Sequence, residues 1–239
     1  MVELELEDGL AVMTIDRPHA RNAIAPETMD QLESALDRAV GAAALVIRGG
    51  GDRAFVSGGD LKELAKLRTK EDAAAMARRM RSICDRIAGF PAPVIAALNG
   101  HALGGGAEVA VAADIRIAAD DIKIGFNQVS LAIMPAWGGA ERLATLVGRG
   151  RALLLAGSGT ILDADAAHRV GLVDQVLPRA SFEAGWRAAA RSLTHRAAGD
   201  IKRVLGGVSP EEAIEAFARL WVDDEHWAAA EKVMNRSNG

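Results

Sequence analysis

The chain has 239 residues, half of them hydrophobic and a quarter charged, with 28 Lys and Arg against 32 Asp and Glu and no Tyr. That length can bury a full core, and the net charge of −4 excludes the broad basic field that draws nucleic acid or an anionic membrane surface, so a phosphate-bearing ligand must be held locally. The single cysteine, Cys84, cannot close an internal disulfide, the most apolar stretch (94–119) is broken by Asn99, Glu108, Asp114 and Arg116, and no charged-then-apolar leader precedes the first strand; a soluble, cytoplasmic protein is expected.

Val2 to Leu6 and Leu10 to Ile15 alternate as two strands joined by an Asp8-Gly9 hairpin turn. Met29, Leu32, Leu36 and Val40 recur at helical spacing from Pro26 onward, and Ala42 to Arg48 reads as a short buried strand closed by Gly49-Gly50-Gly51. A loop over 54–60 precedes a helix over 70–88, which Phe90-Pro91-Ala92-Pro93 stops. Val94 to Leu98 is a buried strand, 99–106 a glycine-rich turn, and 105–112 an Ala/Val helix. Short strands at 114–118 and 122–126, helices at 138–147 and 149–155, a helix at 163–170 and a strand at 171–176 complete the core. Everything from Ser181 onward reads as helical, with Ser209 capping a helix that opens at Pro210. The expected division is a core over 1–180 and a helical C-terminal region over 181–239.

Four stretches carry a resemblance. They are Ile15-Asp16-Arg17-Pro18 with Arg21-Asn22-Ala23; Ala54-Phe55-Val56-Ser57-Gly58-Gly59-Asp60-Leu61; Asn99-Gly100-His101-Ala102-Leu103-Gly104-Gly105-Gly106-Ala107-Glu108; and Pro135-Ala136-Trp137-Gly138-Gly139 with Arg142-Leu143. In this order, across nearly the whole chain, they resemble the crotonase superfamily, the enoyl-CoA hydratase/isomerase family. The resemblance implies an α/β fold, a ClpP-like spiral of strand-strand-helix turns with a helical C-terminal region, assembled as a homotrimer or a dimer of trimers. It also implies an acyl-CoA thioester as substrate, enolate stabilisation, and no cofactor beyond the thioester's own coenzyme A.

Removing a proton or a carboxylate next to a thioester carbonyl leaves negative charge on the carbonyl oxygen, so donors must already face it. By resemblance these are the backbone amides of Gly59 and Gly105, the latter at a helix start whose dipole adds positive potential. Glu108, three residues on, falls on the same helix face, where an apolar setting raises its pKa and suits it to proton transfer; the plainer alternative is a solvent-facing helix charge. A second hydratase glutamate would fall at Gln128, and a glutamine cannot shuttle a proton. Gln128 is therefore a candidate for positioning water or the acyl group, and one acid/base residue suits isomerisation or decarboxylation better than two-carboxylate hydration. Trp137 stands where hydratases carry a small residue and is expected to fill part of the acyl pocket, against an ordinary packing role.

For the nucleotide and pantetheine, the resemblance offers Ser57 and Gly59, with Asp60 supporting the loop; Arg17, Arg21 and Lys62 are candidates for phosphates, against plain solvated charges. His19, His101, His168, His195 and His226 show no zinc spacing, and the Gly104-Gly105-Gly106 run lacks the neighbours of a P-loop or dinucleotide fingerprint, so no metal or nicotinamide site is expected. Trp137 with Arg142-Leu143 and Leu220-Trp221 also resembles the ethylmalonyl-CoA decarboxylase-like branch. Three functions follow as expectations: an enoyl-CoA hydratase-like lyase or isomerase first, a methyl- or ethylmalonyl-CoA decarboxylase second, and a non-catalytic acyl-CoA binding protein third.

Overall fold

The computed structural model describes residues 1–236. Its first compact unit spans Met1–Thr194 and its second begins at His195. In chain order the first unit contains β1 (Val2–Glu7), β2 (Leu10–Ile15), α1 (Pro26–Ala39), β3 (Ala44–Gly49), β4 (Ala54–Val56), α2 (Leu61–Leu64), α3 (Lys70–Ala88), β5 (Val94–Leu98), β6 (His101–Leu103), α4 (Gly105–Ala110), β7 (Ile115–Ala119) and β8 (Lys123–Gly125). Then come α5 (Gly139–Val147), α6 (Arg149–Ser158), β9 (Ile161–Asp163), α7 (Ala164–Arg169), β10 (Gln175–Leu177) and α8 (Phe182–Ser192). The second unit holds α9 (Ala197–Leu205), α10 (Pro210–Trp221) and α11 (Asp224–Arg236).

Two sheets form, in the orders β1-β2-β3-β5-β7-β10 and β4-β6-β8-β9. Each circuit of the chain adds a strand to the first sheet and then one to the second: β3 and β4, β5 and β6, β7 and β8. This is the expected α/β spiral of strand-strand-helix turns. The entry hairpin closes through Asp8 and Gly9, both at positive φ, as a two-residue turn between right-twisted strands requires. β1 is an edge strand that exposes Glu3, Glu5 and Glu7, charges that discourage further pairing. From β2 inward the pairing is parallel, and β5 is buried throughout, which is why Val94 to Leu98 reads as an unbroken apolar run.

The structure departs from the sequence reading at short elements. Residues 54–56 and 101–103, read as a loop and a turn, are strands β4 and β6, paired in parallel with each other. The Ala/Val helix ends at Ala110, short of Ala112. α8 lies in the first unit, where Trp186 is fully buried, donates to Glu183 (3.0 Å) and carries the Arg187 guanidinium 4.4 Å above its ring. In the second unit Ser209 and Glu212 form the reciprocal cap of α10, each accepting from the other's backbone N–H. Among the described residues no helix is long and apolar enough to cross a membrane.

Candidate active site

Two loops meet where the second sheet gives way to helix. The first follows β4: Ile24 donates to the Gly58 carbonyl and accepts from Asp60 N–H, each at 2.8 Å, which fixes the backbone on both sides of Gly59. The Asp60 carboxylate then caps α2 through the amides of Lys62 and Glu63 and pairs with Arg17 at 3.1 Å. Although burial pushes the Asp60 carboxyl up, the Arg17 guanidinium and those amides together hold it below its ordinary value. The second loop leaves β6 at Gly104, whose φ of 55° and ψ of −119° suit glycine alone, and enters α4 at Gly105.

Close approach of bare backbone brings the loops together. A β-carbon at Gly58 would stand 3.4 Å from the Gly105 nitrogen, and one at Gly106 would stand 1.7 Å from the Val56 carbonyl oxygen. The Gly59 and Gly105 N–H groups donate to no acceptor among the described residues. Two rigid donors thus sit at one corner of the molecule.

Glu108 is not a solvent-facing charge. It is 2% exposed, and Oε2 accepts from the backbone N–H groups of Trp137 (2.7 Å) and Gly139 (3.0 Å). Oε1 accepts from Gln128 Nε2 at 2.9 Å. Burial raises the Glu108 pKa, and the amides of Gly139, Trp137 and Ala136 with the Gln128 side chain oppose that rise without cancelling it. Gln128 lies on a 3-10 turn over Asn127–Leu131, itself buried, and its Oε1 has no hydrogen-bond partner among the described residues. Counting back from the Pro-Ala-Trp-Gly-Gly stretch marks Gln128 as the position where a second glutamate would fall, and its side chain meets Glu108.

Trp137 is 6% exposed and spans both loops. Its six-membered ring lies 2.2–2.9 Å from where a β-carbon at Gly105 would stand, and its Cζ2 lies 3.9 Å from the same point at Gly59. Arg142 accounts for its place in the motif: Nη1 donates to the Trp137 carbonyl at 3.3 Å while Nη2 donates to Asp85. Residue 137 is thereby held by Glu108 on its N–H and by Arg142 on its carbonyl. Cys84, in the same interior, has its thiol pushed up to about 12 by burial and stays protonated near neutrality.

Two clefts reach this corner. One, of about 600 Å³, is lined by Arg17, Arg21, Ser57, Gly59, Asp60 and Lys62, bringing together the residues expected to meet the nucleotide and pantetheine. Within it Arg17 is engaged by Asp60 and by the Ala23 carbonyl, so it braces the loop, while Arg21 is exposed and Lys62 is exposed beside it. The second, of about 510 Å³, shares Arg21 and Ser57 and adds Arg53, His101, Asp121 and Arg179. Sequence reasoning did not single out Arg53 or Arg179, and no local pattern marks Arg179, which reaches Asp121 and the Asn99 carbonyl from far along the chain. His101 accepts from Lys123 N–H at 3.1 Å. Two asparagines of the quoted motifs prove to be the staples behind these loops. Asn22 donates to the Gly50 and Ala54 carbonyls and accepts from Arg17 N–H; Asn99 accepts from Gly49 N–H and donates to the Gly51 carbonyl.

The profile of the enoyl-CoA hydratase/isomerase family matches residues 5–206. The chain is 41% identical to crotonyl-CoA hydratase of Syntrophomonas wolfei over 73% of its length and 68% of that protein's. It is 38% identical to short-chain-enoyl-CoA hydratase of Clostridium acetobutylicum over 74% and 68%. Among solved structures, enoyl-CoA hydratase of Thermoplasma volcanium superposes with a TM-score of 0.87 at 33% identity, covering 97% of this chain and 96% of that one. Enoyl-CoA hydratase of Bacillus anthracis gives 0.91 at 26% identity, covering 98% and 96%. With the spiral fold, the paired glycine loops and the buried glutamate in place, the chain belongs to the enoyl-CoA hydratase/isomerase family, the crotonase superfamily, and is an enzyme of that type.

Proposed function

We propose that the protein adds water across the double bond of a short-chain 2-enoyl-CoA, with Glu108 as its one proton carrier and Gln128 holding the water. The observation that carries this reading is the buried, unpartnered Gln128 Oε1 beside the Glu108 carboxylate. A buried water needs two or more polar partners, and these two side chains offer an amide oxygen and the remaining lone pair of Glu108 Oε1. The water donates one hydrogen to each, leaving an oxygen lone pair for C3 of the thioester.

As the C3–O bond forms and the C2–C3 double bond opens, charge moves to the carbonyl oxygen, where the Gly59 and Gly105 amides receive it. Glu108 takes the water's proton and returns it to C2, ending as the carboxylate it began as. Burial that raises its pKa makes it a better base for this step. Ser57, Arg21 and Lys62 line the cleft for the coenzyme A portion, and the chemistry calls on no cofactor beyond the thioester itself. The names of the relatives from Syntrophomonas wolfei and Clostridium acetobutylicum favour the same substrate class.

The reading extends to setting. The chain works in the cytoplasm, in keeping with a lone buried thiol, and assembles as a homotrimer or a dimer of trimers. Exposed Leu205, Phe217, Trp221 and Val222 on the helical second unit supply apolar surface for association.

A second reading, decarboxylation of methyl- or ethylmalonyl-CoA, is favoured by the amide at 128 and the indole at 137. One assay separates the two. With crotonyl-CoA the expected result is loss of the enoyl thioester absorbance at an ordinary enzymatic rate, roughly 1–1,000 per second, and no carbon dioxide from methylmalonyl-CoA. Carbon dioxide release without hydration would replace the first reading by the second.

A further inference from the structure

From the contacts of Trp137 we infer that its indole is the wall that limits the acyl group to short chains, so that crotonyl-sized substrates fit and chains of eight carbons do not. This rests on the thioester reading of the site given above. The ring lies against Gly105 along three of its carbons and reaches toward Gly59 with a fourth. A carbonyl oxygen held by those two amides has the ring immediately beside it, where the first few acyl carbons must pass. The Glu108 carboxylate, bonded to Gln128, accepts from the Trp137 backbone N–H and so lies next to the same residue.

The wall is also held in place. The backbone N–H of Trp137 donates to Glu108, its carbonyl accepts from Arg142, and Arg142 donates to Asp85. Gly138, with φ of 88°, then Gly139, against which Glu108 packs, fix the turn that aims the side chain. These hydrogen bonds run through main chain or through other residues, so none of them is made by the indole itself. A tryptophan serving only to fill the core would not need to lie across the two backbone segments that receive the substrate.

The test is calorimetry of butyryl-CoA and octanoyl-CoA binding, which needs no turnover, with the native protein, Trp137→Leu and Trp137→Phe. The native protein is expected to prefer butyryl-CoA by about tenfold or more, within the range that a few methylenes contribute in a shaped pocket. Trp137→Leu is expected to erase the preference. Trp137→Phe, which retains a smaller ring and the fold, gives an intermediate ratio. A native protein that binds both thioesters equally, or variants that keep the native ratio, overturns the wall. Absence of binding by either thioester to the native protein overturns the reading of the site on which the wall depends, and the wall with it.

Discussion

Glu108→Gln is expected to lower turnover of crotonyl-CoA by about 100- to 10,000-fold, the span typical for removal of a general acid–base group, while leaving the affinity for butyryl-CoA near native. The substitution removes the proton acceptor and little else. The new side-chain oxygen can accept from the Trp137 and Gly139 amides as Oε2 does now. Its amide nitrogen then faces Gln128, whose own amide turns to present Oε1, an acceptor with no partner in the native protein. The fold therefore keeps its hydrogen bonds and only the chemistry is lost. Turnover within tenfold of native would remove Glu108 from proton transfer.

The raised pKa of Glu108 adds a pH signature of known sign. As a base Glu108 must be ionised, so native activity rises with pH through a value above the ordinary 4.5 of a glutamate. Stability runs the other way. The folded protein binds this proton more tightly than the unfolded chain does, so the contribution is fully present below the ordinary value and is lost as pH rises through the raised one. Glu108→Gln abolishes both trends at this position. Titrating thermal stability of native and variant proteins side by side shows it as a difference that grows in the variant's favour as pH rises.

Gly106→Ala is the second large effect. The new methyl would stand 1.7 Å from the Val56 carbonyl oxygen and 2.6 Å from its carbon, and both are backbone atoms of β4 that cannot swing aside. Either β4 or α4 must move, and with them the separation of the Gly59 and Gly105 amides. Overpacking against fixed atoms costs roughly 3 kcal/mol or more, which in a chain of this size lowers Tm by about 6–12 °C. Activity should fall further than stability alone requires, because the donors lose their mutual placement. The control is Gly150→Ala in α6, where a β-carbon meets nothing within 4 Å; it should be neutral or slightly stabilising. A Gly106→Ala variant with native Tm and turnover would mean that this contact does not set the geometry.

Several of these features are legible in the sequence and others are not, for identifiable reasons. The entry hairpin, α1, α3 and β5 announce themselves because alternation, helical periodicity or, in β5, an unbroken apolar run extends over five or more residues and is bounded by turn or stop residues. β4, β6 and β9 do not. Each is three residues long, too short for a period to show, and β4 and β6 are strands because β6 pairs with both β4 and β8 across long sequence separations. Glu108 and Gln128 can each be singled out from motif spacing, since each lies at a fixed offset from a glycine turn, while their contact is seen only in the fold. The orphaned Gln128 oxygen cannot, because it depends on which way an amide is turned by its neighbour.

Arg17 illustrates the opposite limit. Offered by the sequence as a candidate for phosphates or a plain solvated charge, it also braces Asp60 and the Ala23 carbonyl, a role set by a partner 43 positions away. The ring of Trp137 across Gly105 and Gly59 is likewise a product of three distant segments meeting. Sequence marks the residue as unusual, and only the folded chain shows what it touches.

The most direct measurement is a crystal structure of the protein with butyryl-CoA bound. The thioester oxygen is expected within about 3 Å of both the Gly59 and Gly105 nitrogens, with C2 and C3 facing Glu108 and Gln128. A carbonyl turned away from those amides, or an acyl chain lying on the far side of Trp137 from Glu108, would contradict the account.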